Sequence, residues 1–224
     1  MISLLLPTRG RPDNLIRFYE SAKATARDPF QVVVYIDNDD DSYANVDLPI
    51  ECAHGPRIVL SEAWNECAKA ARGSIFGHMG DDIIFRTDHW DVLIEDTFSR
   101  YPDGIAFVHG RDGNESNRLY TFGTHGFIHR NWVDTVGYFV PPYFSSDYND
   151  TWLNDVANMI NRHVYIPDIY TEHMHPAFGK AEMDQTHLDR IDRSAVDRPG
   201  DLYYSKAMMR KRLDDARMLI EVMA

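Results

Sequence analysis

Unbroken apolar runs alternate with amphipathic stretches through the first half of this chain. Ile2 to Leu6 (ISLLL) is apolar throughout, as expected of a strand buried on both faces. Pro7 ends it, and Asp13 or Asn14 is positioned to cap a helix whose inner face is Leu15, Phe18, Tyr19, Ala22 and Ala26. Gln31 to Ile36 (QVVVYI) reads as a second buried strand, stopping at a run of acidic residues from Asp37. Arg57 to Leu60 (RIVL) reads as a third. Ser61 then caps a helix with Trp64, Cys67, Ala68 and Ala71 inside, and Gly73 stops it. A further apolar run, Ser74 to Met79, leads to Gly80-Asp81-Asp82 and a second short run, Ile83 to Phe85. This alternation predicts an α/β sandwich with a mostly parallel central sheet. Ligands of such sheets bind outside the carboxyl ends of the strands, where Thr8-Arg9, Asp37 and Asp81-Asp82 all fall.

The second half is less regular. Ile105 to His109, Gly126 to His129 and His163 to Ile166 read as strands, and His129-Arg130 as the opening of a short helix. Ser145 or Ser146 is expected to cap a helix bearing Trp152, Leu153, Val156, Ala157 and Ile160. Tyr170 to His187 carries His173, His175 and His187 without periodicity and reads as a site loop. From Asp201 onward the pattern predicts one long helix with a basic patch at Lys206, Arg210, Lys211 and Arg212. No composition break marks a second globular domain. Residues 1–200 are therefore assigned to one domain, split into 1–110 and 111–200, with 201–224 a helical extension and a possible homodimer contact.

Composition narrows the class. At 224 residues with 44% hydrophobic content, the chain can fill one core. A net charge of −12 disfavours nucleic acid or an anionic membrane as partner, leaving Arg111, Arg118, Arg130 and the C-terminal patch as the only support for DNA. Cys52 and Cys67 have no redox or metal spacing. The apolar start is too short for a signal peptide and no segment is long enough to span a membrane, so the expectation is a cytoplasmic protein.

Asp81 and Asp82 carry the chemistry. Adjacent carboxylates at the mouth of a buried strand repel, and the usual remedy is a hard divalent cation shared with a phosphate. Gly80 leaves room beside them. The bland alternative is a solvated turn. His173 and His175 are two apart, so on an extended segment they point the same way. Neutral imidazoles suit Mn²⁺ better than Mg²⁺.

ISLLLPTRGRPDNL, then VVVYIDNDD, then LSEAWNECAKAARGSIFGHMGDDIIF resembles the nucleotide-sugar-binding half of a GT-A glycosyltransferase. The nearest likeness is to the large inverting family of bacterial polysaccharide glycosyltransferases. GYFVPPYFSSDYNDTWLNDVANMINRHVYIP resembles that family's stretch from an acidic pair through a helix to a strand. The family's metal motif commonly reads Asp-x-Asp, and Gly80 stands where a first Asp would be. The resemblance implies a Rossmann-like GT-A sandwich and a metal-dependent transfer from a nucleoside-diphosphate sugar, a UDP-sugar, to an acceptor hydroxyl with inversion. It places Pro7, Thr8, Arg9, Asp37, Asn65 and Asp81 around the donor, with Asp37 accepting from the base. Asp82 would bind the metal, His173 or His175 would complete its shell, and Asp150 or Asp147 would act as base. His125 is placed at the acceptor cleft, and a glycan acceptor is favoured over nucleic acid. Two other readings compete. A nucleotidyltransferase usually carries a glycine-rich basic loop after the first strand, and PTRGRP has the arginines but one glycine. A catalytically inactive nucleotide-binding module would need neither base nor histidine.

Overall fold

The structure, a computed structural model, describes residues 1–113 and 122–223. β1 (Ile2–Pro7) and β2 (Gln31–Asp37) form on the unbroken apolar runs, and every residue of β2 is buried. Between them, α1 (Pro12–Thr25) starts on a proline, whose fixed φ suits a first helical turn. No side chain caps it, and Asp13 lies inside the first turn instead. β3 is Glu51–Gly55, upstream of the expected Arg57 to Leu60. It is the edge strand of the sheet, alternately half-buried and exposed, so no apolar run marks it. Ile58 and Leu60 pack on the core from the lead into α2 (Leu60–Ala70). Ser61 is not its cap, since its hydroxyl donates to the Phe144 carbonyl. Nor does Gly73 end that helix, which is over by Ala71; a Cβ at Gly73 would lie 2.6 Å from the Met1 carbonyl oxygen, so close chain approach explains this glycine.

β4 (Ile75–His78), β5 (Ile83–Phe85), α3 (Trp90–Phe98), β6 (Phe107–Arg111) and β7 (Gly126–His129) follow. His129 caps α4 (Arg130–Val136) by accepting from the Asn131 N–H. Neither Ser145 nor Ser146 caps α5 (Asn149–Met159), which is entered through Tyr148 at φ 73°. β8 (His163–His173) absorbs the expected strand and also the start of the expected loop, so His173 is a strand residue. α6 (Gln185–Asp197), unforeseen in the sequence, is capped by Asp184 accepting from the His187 N–H. The expected single C-terminal helix is two, α7 (Pro199–Tyr203) and α8 (Lys206–Val222), with Ser205 capping the second.

The sheet order is β3-β2-β1-β4-β7-β6-β8-β5. Pairings are parallel among β3, β2, β1 and β4 and between β6 and β8. They are antiparallel where β7 meets β4 and β6, and where β5 meets β8. Alternate strand residues feed two cores. Leu5, Val33 and Phe76 pack beneath α2, α5 and α8, and Leu4, Leu6 and Val34 beneath α1 and α3. Arg212 is not part of a basic surface. It is buried, with its guanidinium 3.8 Å from the Tyr203 ring centroid, and neighbouring Asp215 accepts from Trp152 Nε1 at 2.9 Å. No helix among the described residues is long and apolar enough to cross a membrane.

His109 on β6 is fully buried, and its Nε2 has no hydrogen-bond partner among the described residues. Burial pulls its pKa down to about 4 from 6.5. The fold therefore prefers the neutral ring. Its contribution is complete above pH 6.5 and is lost as pH falls through about 4. A shift of this size corresponds to on the order of 3 kcal/mol. Melting temperature should fall across that window, and His109→Phe should flatten the fall. An unchanged pH profile in the variant would remove His109 as a cause.

Candidate functional site

The carboxyl edge of the sheet opens into one cleft of ≈ 830 Å³, large enough for a nucleotide sugar. Pro7, Thr8 and Arg9 line it at the end of β1, Asp37 at the end of β2, and Asp81-Asp82 beyond β4. His125 reaches it from just before β7, His173 from the end of β8, Asp147 from just before α5 and Asp150 from its first turn. Asn65 does not. Its amide donates to the Ser61 and Val140 carbonyls and accepts from the Phe139 and Val140 N–H groups, so it supports the cleft from behind.

The Asp pair is no solvated turn: Asp81 and Asp82 are 5% and 8% exposed. Different partners hold each. Asp81 accepts from Thr8 Oγ1 at 2.7 Å and from Arg11 Nη1 at 3.1 Å. Burial raises its pKa to about 6, against the pull of Arg11 and with added repulsion from Asp82. Asp82 lies 3.1 Å from His173 Nε2. Although burial pushes the other way, that hydrogen bond holds Asp82 below the usual carboxylate range. Arg11 was missed in the sequence. It forks onto Asp184 through Nε and Nη2, both at 2.7 Å, and so ties the start of α6 to the cleft. Its only sequence signal was its place two residues after Arg9.

Asp82, His125 and His173 offer ligand atoms that all lie within 4.8 Å of one another. His125, expected to line the acceptor cleft, lines the cleft beside Asp82 and His173, its ring 4.7 Å from that of His173. Burial keeps His125 neutral, with a pKa well below 6.5. Nδ1 of both rings is buried without a hydrogen-bond partner among the described residues. A Cβ on Gly80 would sit 2.6 Å from Asp82 Oδ1 and 3.5 Å from His125 Nε2, so only glycine keeps the space between them open. One carboxylate, two imidazoles and this cradle fit a divalent cation. His175 stands outside the cluster, its ring 5.1 Å from His173 and its Nδ1 accepting from the Ala177 N–H.

α6 lies across the cleft on polar contacts. Thr186 Oγ1 donates to the Arg9 carbonyl at 3.0 Å, and Arg57 pairs with Asp189 at 2.7 Å. Both carboxylate oxygens of Asp147 are engaged by this helix, one by Arg190 and one by Ser194. Asp150, in the first turn of α5, accepts from the Thr151 N–H at 2.7 Å. The basic residues weighed for nucleic acid are dispersed. Arg111 lies over Tyr170, Arg130 donates to the Ala71 and Gly73 carbonyls, and Arg118 is outside the described residues. Arg9 is committed to Asp37 and Asp39, and Arg11 to Asp81 and Asp184, so the loop after β1 forms no basic cradle for a triphosphate.

The sequence profile of glycosyl transferase family 2 matches residues 3–188. Among solved structures, the mannosyltransferase PcManGT from Pyrobaculum calidifontis, in complex with GDP-Man and Mn²⁺, superposes with a TM-score of 0.62 at 11% identity, covering 99% of this chain and 73% of that one. TarS of S. aureus gives 0.56 at 15% identity, covering 85% of this chain and 42% of that one. TarS 1-349 in complex with UDP-GlcNAc gives 0.55 at 12% identity, covering 100% of this chain and 81% of that one. At these identities the likeness is one of fold, the GT-A α/β sandwich. No curated protein matches the sequence.

Proposed function

The chain belongs to glycosyl transferase family 2, and on that premise we propose that it transfers a sugar from a UDP-sugar to an acceptor hydroxyl, with inversion, using a divalent cation held by Asp82, His173 and His125. The observation that carries this reading is the meeting of those three side chains, distant in sequence, within 4.8 Å beside the Arg11–Asp81 pair. A cation bound there would join Asp82 to the donor diphosphate and offset charge on the departing nucleoside diphosphate. Two imidazoles favour Mn²⁺ over Mg²⁺.

The remaining steps belong to this chain's own groups. Asp37, aligned by Arg9 at 2.7 Å, accepts from the uracil N3–H. Thr8 and Asp81 face the ribose. Asp150 takes the acceptor hydroxyl's proton as that oxygen bonds to the anomeric carbon. The bond from that carbon to the diphosphate breaks, and its electron pair leaves with UDP. Asp147, held by Arg190 and Ser194, positions α6 rather than moving a proton. Residues 1–110 then carry the donor, residues 111–200 complete the cation and acceptor side, and 201–224 extend the core. A glycan is the preferred acceptor.

A thermal-shift panel of UDP, GDP, CDP and dTDP, each with and without Mn²⁺, tests the donor. UDP with Mn²⁺ should stabilise most, by mass action. Asp37→Ala should weaken UDP by on the order of 1.5–3 kcal/mol, the worth of a hydrogen bond to a charged group. A strong response to another nucleotide with UDP silent would sink the uridine assignment.

A further inference from the structure

His78, the last residue of β4, lines the same cleft but takes no part in the steps above. It is 4% exposed, and among the described residues neither ring nitrogen has a partner of good hydrogen-bond geometry. Burial pulls its pKa down to about 3, against the opposing pull of the Thr124 backbone. Trp64 backs the imidazole, with ring centroids 4.2 Å apart, and is itself fixed by donating from Nε1 to the Met79 carbonyl at 3.1 Å. Phe139 stands on another side at 6.1 Å. A phenyl or isobutyl group would suit such surroundings better. A buried imidazole with both nitrogens unpaired is costly unless something else pairs with them.

We propose that His78, held in place by Trp64, selects the transferred sugar by hydrogen-bonding hydroxyls of the donor's sugar ring. The inference rests on the donor-site reading above. Position along the sheet argues for the sugar over the nucleotide. The base and ribose are accounted for at the ends of β2 and β1 by Asp37 and Thr8, and the diphosphate beyond β4 by Asp82. His78 ends β4, where that strand pairs with β7, on the face of the sheet that Trp64 of α2 covers, and it lines the same cleft as Asp150. A neutral imidazole offers one donor and one acceptor, which a hydroxyl, or two adjacent ones, can satisfy together. A carboxylate, which only accepts, would use the imidazole's one donor and leave its acceptor nitrogen unpaired, whereas a hydroxyl pairs with either. The subsite therefore takes a neutral sugar.

Calorimetry with Mn²⁺ present tests this, comparing UDP with UDP-glucose, UDP-galactose, UDP-GlcNAc and UDP-glucuronate. The wild type should bind at least one neutral UDP-sugar more tightly than UDP-glucuronate. His78→Leu should keep UDP affinity within about twofold and weaken the preferred UDP-sugar about tenfold. It should also raise the melting temperature of the free protein by about 2–6 °C, because an unpaired polar group leaves the core. His78→Gln, which restores a donor and an acceptor, should recover part of the sugar affinity. A purely structural histidine would give the reverse: a lower melting temperature with sugar discrimination intact. That result would overturn the proposal, as would a parallel loss of UDP and UDP-sugar. Failure of both His78→Leu and His78→Phe to fold would contradict the expected gain in stability and overturn it too. If no nucleoside diphosphate binds the wild type, the donor-site reading fails first and this inference falls with it.

Discussion

Asp150→Asn should lower turnover about 10²- to 10⁴-fold, the usual worth of a general base, while nucleotide and Mn²⁺ affinities stay within about twofold. The amide keeps the bulk of the side chain and its place in the first turn of α5, and loses the negative charge and with it the capacity to take a proton. Metal-dependent hydrolysis of the donor is the practical assay, because water attacking the anomeric carbon needs the same base. Calorimetry on the same sample separates binding from chemistry. Near-normal turnover would eliminate Asp150 and turn attention to Asp147. That residue has both oxygens engaged by Arg190 and Ser194. Its own Asn variant should therefore act mainly on KM, by loosening α6 over the cleft.

Asp82→Ala should abolish metal-dependent donor binding. Asp81 cannot substitute, because Thr8 and Arg11 hold it and Arg11 already supplies its positive charge. His125→Ala and His173→Ala should each weaken Mn²⁺ at least about tenfold, with Mg²⁺ less affected, since oxygen-ligand ions depend less on imidazole. His175→Ala should do little, as its ring lies outside the cluster. Three ligands already in place also imply that Mn²⁺ binds measurably before the nucleotide, whereas one carboxylate and one histidine would leave the site to fill with the donor. Electron paramagnetic resonance of free Mn²⁺ reads each of these directly. Unchanged Mn²⁺ affinity in His125→Ala would return that residue to the acceptor side.

Much of this was legible wherever burial and pattern agree. β1, β2 and β4 lie on apolar runs, and their ends placed Thr8, Asp37 and the Asp pair at one edge. β3 escaped because an edge strand alternates half-buried and exposed residues with no apolar run. The far half of β8 escaped because polar Thr171 and His173 occupy its buried positions, imitating a loop. α6 escaped because it buries only His187 and is held by ion pairs and hydrogen bonds. The site was legible residue by residue but not in its pairings. Arg11 meets Asp184, and His125 meets Asp82, only through the folded chain, and no local spacing encodes either contact.

The central claim is that a cation at Asp82, His125 and His173 couples this chain to a nucleoside diphosphate. Its most direct test is UDP titrated into the wild-type protein, once with saturating Mn²⁺ and once with chelator. The predicted result is binding with Mn²⁺ that weakens at least about tenfold when the ion is removed, a difference of about 1.4 kcal/mol or more. Equal affinity with and without chelator would contradict the claim.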